Sequence, residues 1–250
     1  MRLSHEETTF WYGCALRAAG LPAGAVNAAI AMIQWAEIRH GLGVAYFDRR
    51  AATLALDAGA MRLAADNAID GGGQSSLLVG PALLDIAIVA AKTQGRATVS
   101  AVKIGDAGWL GQLCDVAAAR GLAAVLSFTA QGTDAVDLAQ LYSARRTIAA
   151  LPDGTAVEWN TAVALPGHAP AAQGVTLTVA DPASDAGFAA QILAAAEGAT
   201  IRSRGDIAAR TRDAMRHGVD VDAAAWRRLA HRAFAVLAQS TEQSLRGAGA

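Results

Sequence analysis

Apolar positions return with helical period through the first forty residues, and polar ones fill the gaps. Ser4-His5-Glu6-Glu7 has the form of a capping box and predicts a helix that runs to about Ala19. Gly20 stops it, and Pro22 suits the first turn of a second helix reaching about Ile38, whose core face is Val26, Ile30, Ile33 and Ile38. Gly41 and Gly43 end that helix, and a third is expected over residues 49–58. The Gly-rich turn Asp70-Gly71-Gly72-Gly73-Gln74-Ser75-Ser76 leads into a helix over 77–93. Thr98-Val99-Ser100-Ala101-Val102 then reads as a strand, 109–120 as a helix, and Ala123-Ala124-Val125-Leu126-Ser127-Phe128 as a second strand. Such a unit predicts a right-handed crossover joining parallel strands.

The pattern weakens beyond residue 131. A helix is expected over 137–150 and strands at 156–159 and 175–179, with Pro166, Pro170 and Gly174 marking a loop. Residues 184–196 form an amphipathic helix with Phe188, Ile192 and Leu193 on one face. The last long helix covers 222–244 and carries Trp226, Leu229, Phe234 and Leu237. This order predicts a mixed α/β fold in which helices from both chain ends pack together. Residues 1–130, completed by 201–250, form one domain, and 131–200 a reduced second lobe.

Composition narrows the function classes. With 53% hydrophobic and 17% charged residues, the 250-residue chain is a folded protein and not a disordered one. A net charge of −1 argues against a nucleic-acid or membrane-surface binder. Cys14 and Cys114 are too isolated for a disulfide framework or a structural zinc site, so no metal is expected. The N-terminus lacks a signal-peptide core, and the stretch 26–36, broken by Asn27 and Gln34, is too short to span a bilayer. A cytoplasmic location is expected.

Candidate chemistry is sparse. The Gly-rich turn opens a helix, where free N–H groups can hold an anion, but it is neither GxGxxG nor a Walker sequence and also reads as a plain turn. His40, where the chain turns, is suited to proton exchange near neutral pH; by itself it reads first as a helix-end residue favoured by the macrodipole. Asp106 lies past a strand end, where α/β sheets gather ligands, or serves as a helix cap before Trp109. His5, His168, His217 and His231 read as structural, and Arg145 and Arg146 as a solvated helix face. No nucleophile elbow occurs.

Taken in order, several segments resemble one family. Arg39-His40-Gly41 is similar to an Asp-Ser-His-Gly motif, and Asp70-Gly71-Gly72-Gly73-Gln74 with Gly80-Pro81-Ala82 to an Asn-Gly-x-Gly-Gln turn and helix. Ala144-Arg145-Arg146 with Leu151-Pro152-Asp153-Gly154, Ala186-Gly187-Phe188 and His217-Gly218-Val219-Asp220-Val221 follow the same family's order. The chain resembles the type-2 malate/lactate dehydrogenases, NAD(P)-dependent enzymes that include ureidoglycolate, sulfolactate and cyclic-imino-acid oxidoreductases. Its tail, from Thr241 to Gly249, also resembles a bacterial family of similar length.

The resemblance implies oxidoreduction of a small 2-oxo or 2-hydroxy acid or cyclic imino acid with NAD or NADP, and a homodimer. His40 would be the proton donor, Asp106 would orient its ring, and Arg39 or Arg49 would hold the substrate carboxylate. Cofactor phosphates would meet backbone N–H groups near Gly187, in a shortened cofactor lobe. Departures from the family are several: Ile38-Arg39 replaces Asp-Ser, Val44 and Asp48 stand where Arg and Tyr are expected, Gly105-Asp106-Ala107-Gly108 replaces Asn-His-Phe-Gly, and Asp185 replaces a lysine. They imply a second reading, a catalytically degenerate paralogue acting as a binding or partner subunit.

Overall fold

The computed structural model describes residues 1–64, 68–129, 145–161, 163–170 and 174–236. The Ser4 box forms as predicted: Ser4 Oγ accepts the Glu7 N–H at 3.1 Å, and Glu7 accepts the Ser4 N–H at 2.8 Å. After a two-residue strand β1 (Arg2–Leu3), α1 (His5–Ala18) and a 3-10 turn lead to α2 (Val26–His40). Gly41, at φ +68°, closes α2 in the left-handed region that favours glycine.

The third helix, α3 (Gly43–Arg50), lies earlier than the expected 49–58. Its start is held from outside, since the Glu37 carboxylate of α2 accepts the Val44 N–H at 2.7 Å. A cap supplied by the previous helix leaves no local start signal. Gly43 makes the turn possible: a Cβ there would lie 2.3 Å from the Ile33 carbonyl oxygen and 2.9 Å from the Glu37 nitrogen. Backbone cannot yield as a flexible side chain can. Gly43→Ala is therefore expected to cost about 1–3 kcal/mol, read as a lowered urea midpoint with unchanged slope. A wild-type midpoint would contradict the close approach.

The chain continues through β2 (Arg62–Leu63), β3 (Ala68–Asp70), α4 (Ser76–Gln94), β4 (Arg96–Val102), α5 (Gln112–Ala119) and β5 (Ala123–Thr129). Next come β6 (Arg145–Ala150), β7 (Ala156–Trp159), β8 (Gly174–Ala180), α6 (Ala186–Ala194), β9 (Thr200–Arg202) and α7 (Arg204–His217). Strand β10 (Val219–Asp220), α8 (Ala223–Ala233) and a 3-10 turn complete the described chain. Eight strands form one sheet in the order β2-β3-β4-β8-β5-β6-β7-β9.

Strands β4 and β5 do run parallel, but they are not neighbours: β8 lies between them, antiparallel to both. Every residue of β8 is buried, and only a central position covers both faces of a strand so fully. The pair joined in parallel is β3 and β4, across α4. Residues 145–150, expected to be helical and to carry Arg145 and Arg146 on a helix face, are the strand β6. Pairing with β5 and β7 on its two edges overrides an Ala-rich stretch that reads as helix; the rest of 137–150 lies outside the described residues.

Side chains alternate between two cores. Ala124, Leu126 and Phe128 of β5 join the larger core under α1–α5 and α8, while Ala123 and Val125 face a smaller one with Val157, Trp159, Phe188 and Ile192. Leu193 and Phe234, expected on buried faces, are exposed, and Leu237 lies outside the described residues. As expected, the two chain ends pack together. The Met1 amine donates to Val221 O at 2.8 Å, β1 pairs with β10, and α8 packs on α1 with Tyr12 and Trp226 centroids 6.2 Å apart. Among the described residues the most apolar long helix is α4, not the stretch 26–36. At 19 residues and mean hydropathy 1.6 it has the length and composition to cross a membrane, and here it packs against β4 and β8 with ten residues buried.

Within the sheet a polar chain, buried except at its Thr98 end, links four strands. Ser127 Oγ lies 2.8 Å from both Thr147 Oγ1 and His168 Nε2, and His168 Nδ1 lies 2.9 Å from Thr178 Oγ1, itself 2.9 Å from Thr98 Oγ1. His168 is 1% exposed, and burial pushes its pKa down from 6.5 to about 4.

Candidate functional site

The end of α2 gathers the chemistry. Gly41 turns the chain just after His40, whose ring meets Trp35 edge-on at 5.1 Å. Its Nε2 lies 3.8 Å from Glu158 Oε1 on β7, ion-pair range for a protonated imidazole. The other oxygen of Glu158 is 2.9 Å from Arg202 Nη1 on β9. A buried carboxylate thus lies between an imidazole and a guanidinium. Sequence reading missed Glu158; the available signal was a single charge within the apolar strand Ala156-Val157-Glu158-Trp159.

Arg39, one residue earlier, is itself buried and pairs with the part-exposed Asp115. Its Nη2 donates to Asp115 Oδ2 at 2.6 Å, and Trp35 Nε1 donates to the same oxygen at 2.8 Å. Only 3% of the Arg39 side chain is exposed. Substrate binding was the expected role of Arg39, yet the donor it extends is taken by Asp115, a residue sequence reading also passed over. The Arg39 carbonyl in turn accepts Arg210 Nη1 of α7 at 3.0 Å. Beside these pairs a polar cleft of about 380 Å³ opens, lined by His40, Arg2, Glu37, Arg210, Asp213 and Asp220 among others. Burial raises the Glu37 carboxyl above its usual range, against hydrogen bonds from Val44 and Gly43.

The other expected site residues lie elsewhere. Asp106 is 2% exposed, and its Oδ1 accepts the Ser76 N–H at 3.0 Å and the Ser76 hydroxyl at 2.5 Å. Burial pushes its carboxyl up, opposed chiefly by the serine hydrogen bonds. The anion at the start of α4, after the Gly-rich turn, is therefore the protein's own Asp106. The carboxylate facing His40 is Glu158. Arg49 is exposed on α3.

Gly187 is exposed in the first turn of α6. Asp185 stands at the cap position of that helix and is ion-paired to Arg96, with Arg96 Nε 2.5 Å from Asp185 Oδ2. The Arg96 guanidinium also lies 4.4 Å above the Phe188 ring. A cofactor phosphate at Gly187 would meet a carboxylate whose neighbouring cation is already engaged, so these residues do not fit an NAD or NADP phosphate. No cluster of three potential metal ligands occurs among the described residues.

No protein-family profile and no curated protein sequence matches this chain. Solved structures do. Malate dehydrogenase from Pyrococcus horikoshii OT3 is similar at TM-score 0.66 and 13% identity, over 96% of this chain and 97% of that one. Sulfolactate dehydrogenase from Methanocaldococcus jannaschii gives 0.66 and 14%, over 94% and 97%. A delta1-piperideine-2-carboxylate reductase from Pseudomonas syringae gives 0.58 and 11%, over 93% and 99%. The mixed α/β fold traced above is thus shared with these structures over nearly their whole length, and the chain has the type-2 malate/lactate dehydrogenase-like fold.

Proposed function

We propose that this chain binds a small 2-oxo or 2-hydroxy acid, or a cyclic imino acid, in the polar cleft beside His40, as a catalytically reduced member of the fold. The observation that carries this reading is His40 backed by the buried Glu158 in the wall of that cleft. When protonated, the ring has the Glu158 carboxylate behind it and donates a charge-assisted hydrogen bond to a ligand carboxylate or carbonyl. Arg210 and Arg2 line the same cleft, Arg2 paired with Asp220, and Glu37 and Asp213 line it as well. The Asp185–Arg96 pair at the start of α6 argues against a nicotinamide dinucleotide as the second ligand.

Oxidoreduction with NAD or NADP is the second reading, and the same His40–Glu158 pair favours it. Reduction of a carbonyl or imine needs a proton donor at its oxygen or nitrogen, and His40 is placed to hold that proton. Under either reading His40 touches the ligand. Calorimetric titration with pyruvate, lactate and a cyclic imino acid tests this. Wild-type protein should bind at least one of them, and His40→Gln should weaken that binding about tenfold or more, the loss of one charged hydrogen bond. No binding by the wild type, or equal binding by the variant, would remove both readings.

A further inference from the structure

On the other side of Arg39 lies a separate cleft of about 340 Å³, between α5, the β6–β7 turn and α7. We propose that it is a second ligand site, specific for a monocarboxylate with a compact apolar body. Arg39 and Asp115 both line it, and they are joined through the guanidinium at 2.6 Å. Arg39 Nη1 is buried and has no hydrogen-bond partner among the described residues. A buried guanidinium donor without an acceptor is costly, and a ligand oxygen is the group that would satisfy it.

Charge selects the ligand. Arg39, Asp115 and the exposed Arg204 leave the lining one more positive than negative, which a single carboxylate neutralises and a phosphate dianion overshoots. The remaining wall is small and apolar, including Ala118, Ala119, Ala150 and Ala208, which suits a short branched aliphatic body and offers no second anchor for a polar one. The Arg39 carbonyl accepts Arg210, which lines the cleft beside His40.

Isobutyrate is the probe, titrated into the full chain by calorimetry at fixed ionic strength, with inorganic phosphate in parallel. Wild type and His40→Gln should bind isobutyrate alike. Arg39→Lys keeps a charge beside Asp115 but loses the forked donor, and should weaken binding about tenfold. Ala208→Leu, which fills the cleft from a half-buried helix position, should abolish it while circular dichroism stays native. Absent wild-type binding, binding unchanged in both cleft variants, or preference for phosphate would each overturn the proposal. Isobutyrate lost in His40→Gln but kept in Arg39→Lys would also overturn it, placing the acid in the cleft beside His40 and leaving the proposed function standing.

Discussion

Asp115→Ala is expected to destabilise the protein by about 1–3 kcal/mol, the range for leaving a buried donor without its acceptor. The size follows from what remains. Arg39, 3% exposed, keeps its charge, since a guanidinium does not deprotonate in a protein. Trp35 Nε1 loses the Asp115 acceptor it holds at 2.8 Å, so a second donor goes unsatisfied. Asp115→Asn keeps an acceptor for Trp35 and should recover part of the loss. Asp213→Ala, whose partner His217 lies in an exposed pair on α7, should leave stability unchanged. Urea unfolding of the three variants reads the order directly. An Asp115→Ala midpoint near wild type would mean that Arg39 finds water or another acceptor, and would remove the basis for its buried, unsatisfied donor.

Acid should weaken the fold through His168. In the native state its pKa lies near 4, and in the unfolded chain near 6.5. Between these values the unfolded state binds more protons, so stability is complete above about pH 6.5 and falls as pH drops toward 4. A gap of that size corresponds to about 3 kcal/mol at most. The cause is geometric. Ser127 and Thr178 grip the two ring nitrogens inside the sheet, so one nitrogen must accept, and protonation turns that acceptor into a donor in a site 1% exposed. His168→Gln replaces the titrating ring with a neutral amide. It should lower stability at pH 7 and flatten the pH dependence between 4 and 6.5. Exposed carboxylates with lowered pKa, such as Asp220 and Glu7, titrate at lower pH and act equally in both proteins. Parallel wild-type and His168→Gln curves over that interval would contradict the account.

Local signals were legible where physics is local. The Ser4–Glu7 box, the Gly20 and Gly41 stops and the apolar face of α2 lie within one or two turns of what they control, and the structure places them as read except for Ile38, which stays half-exposed. Long-range pairing was not. Nothing within Gly174–Ala180 announces that β8 inserts between β4 and β5, and nothing within Arg145–Ala150 outweighs its alanines until β5 and β7 flank it. The candidate site divides in the same way. Arg39 and His40 come together because they are consecutive, but Asp115 and Glu158, which fix what each can do, are separated from them by most of the central chain. Asp106 shows the converse. Its position past a strand end was visible, while its engagement by Ser76 depends on how β4 returns to the start of α4.

The central claim, a dehydrogenase-like fold that binds a small acid at His40 without a nicotinamide partner, meets its most direct test in one titration. NADH and NADPH fluorescence is followed as protein is added in large excess, with pyruvate absent and present. The Asp185–Arg96 pair at the start of α6 predicts no saturable change with either cofactor, while calorimetry on the same sample still detects the acid. A saturable quench or shift with either dinucleotide would contradict the account and leave oxidoreduction as the function.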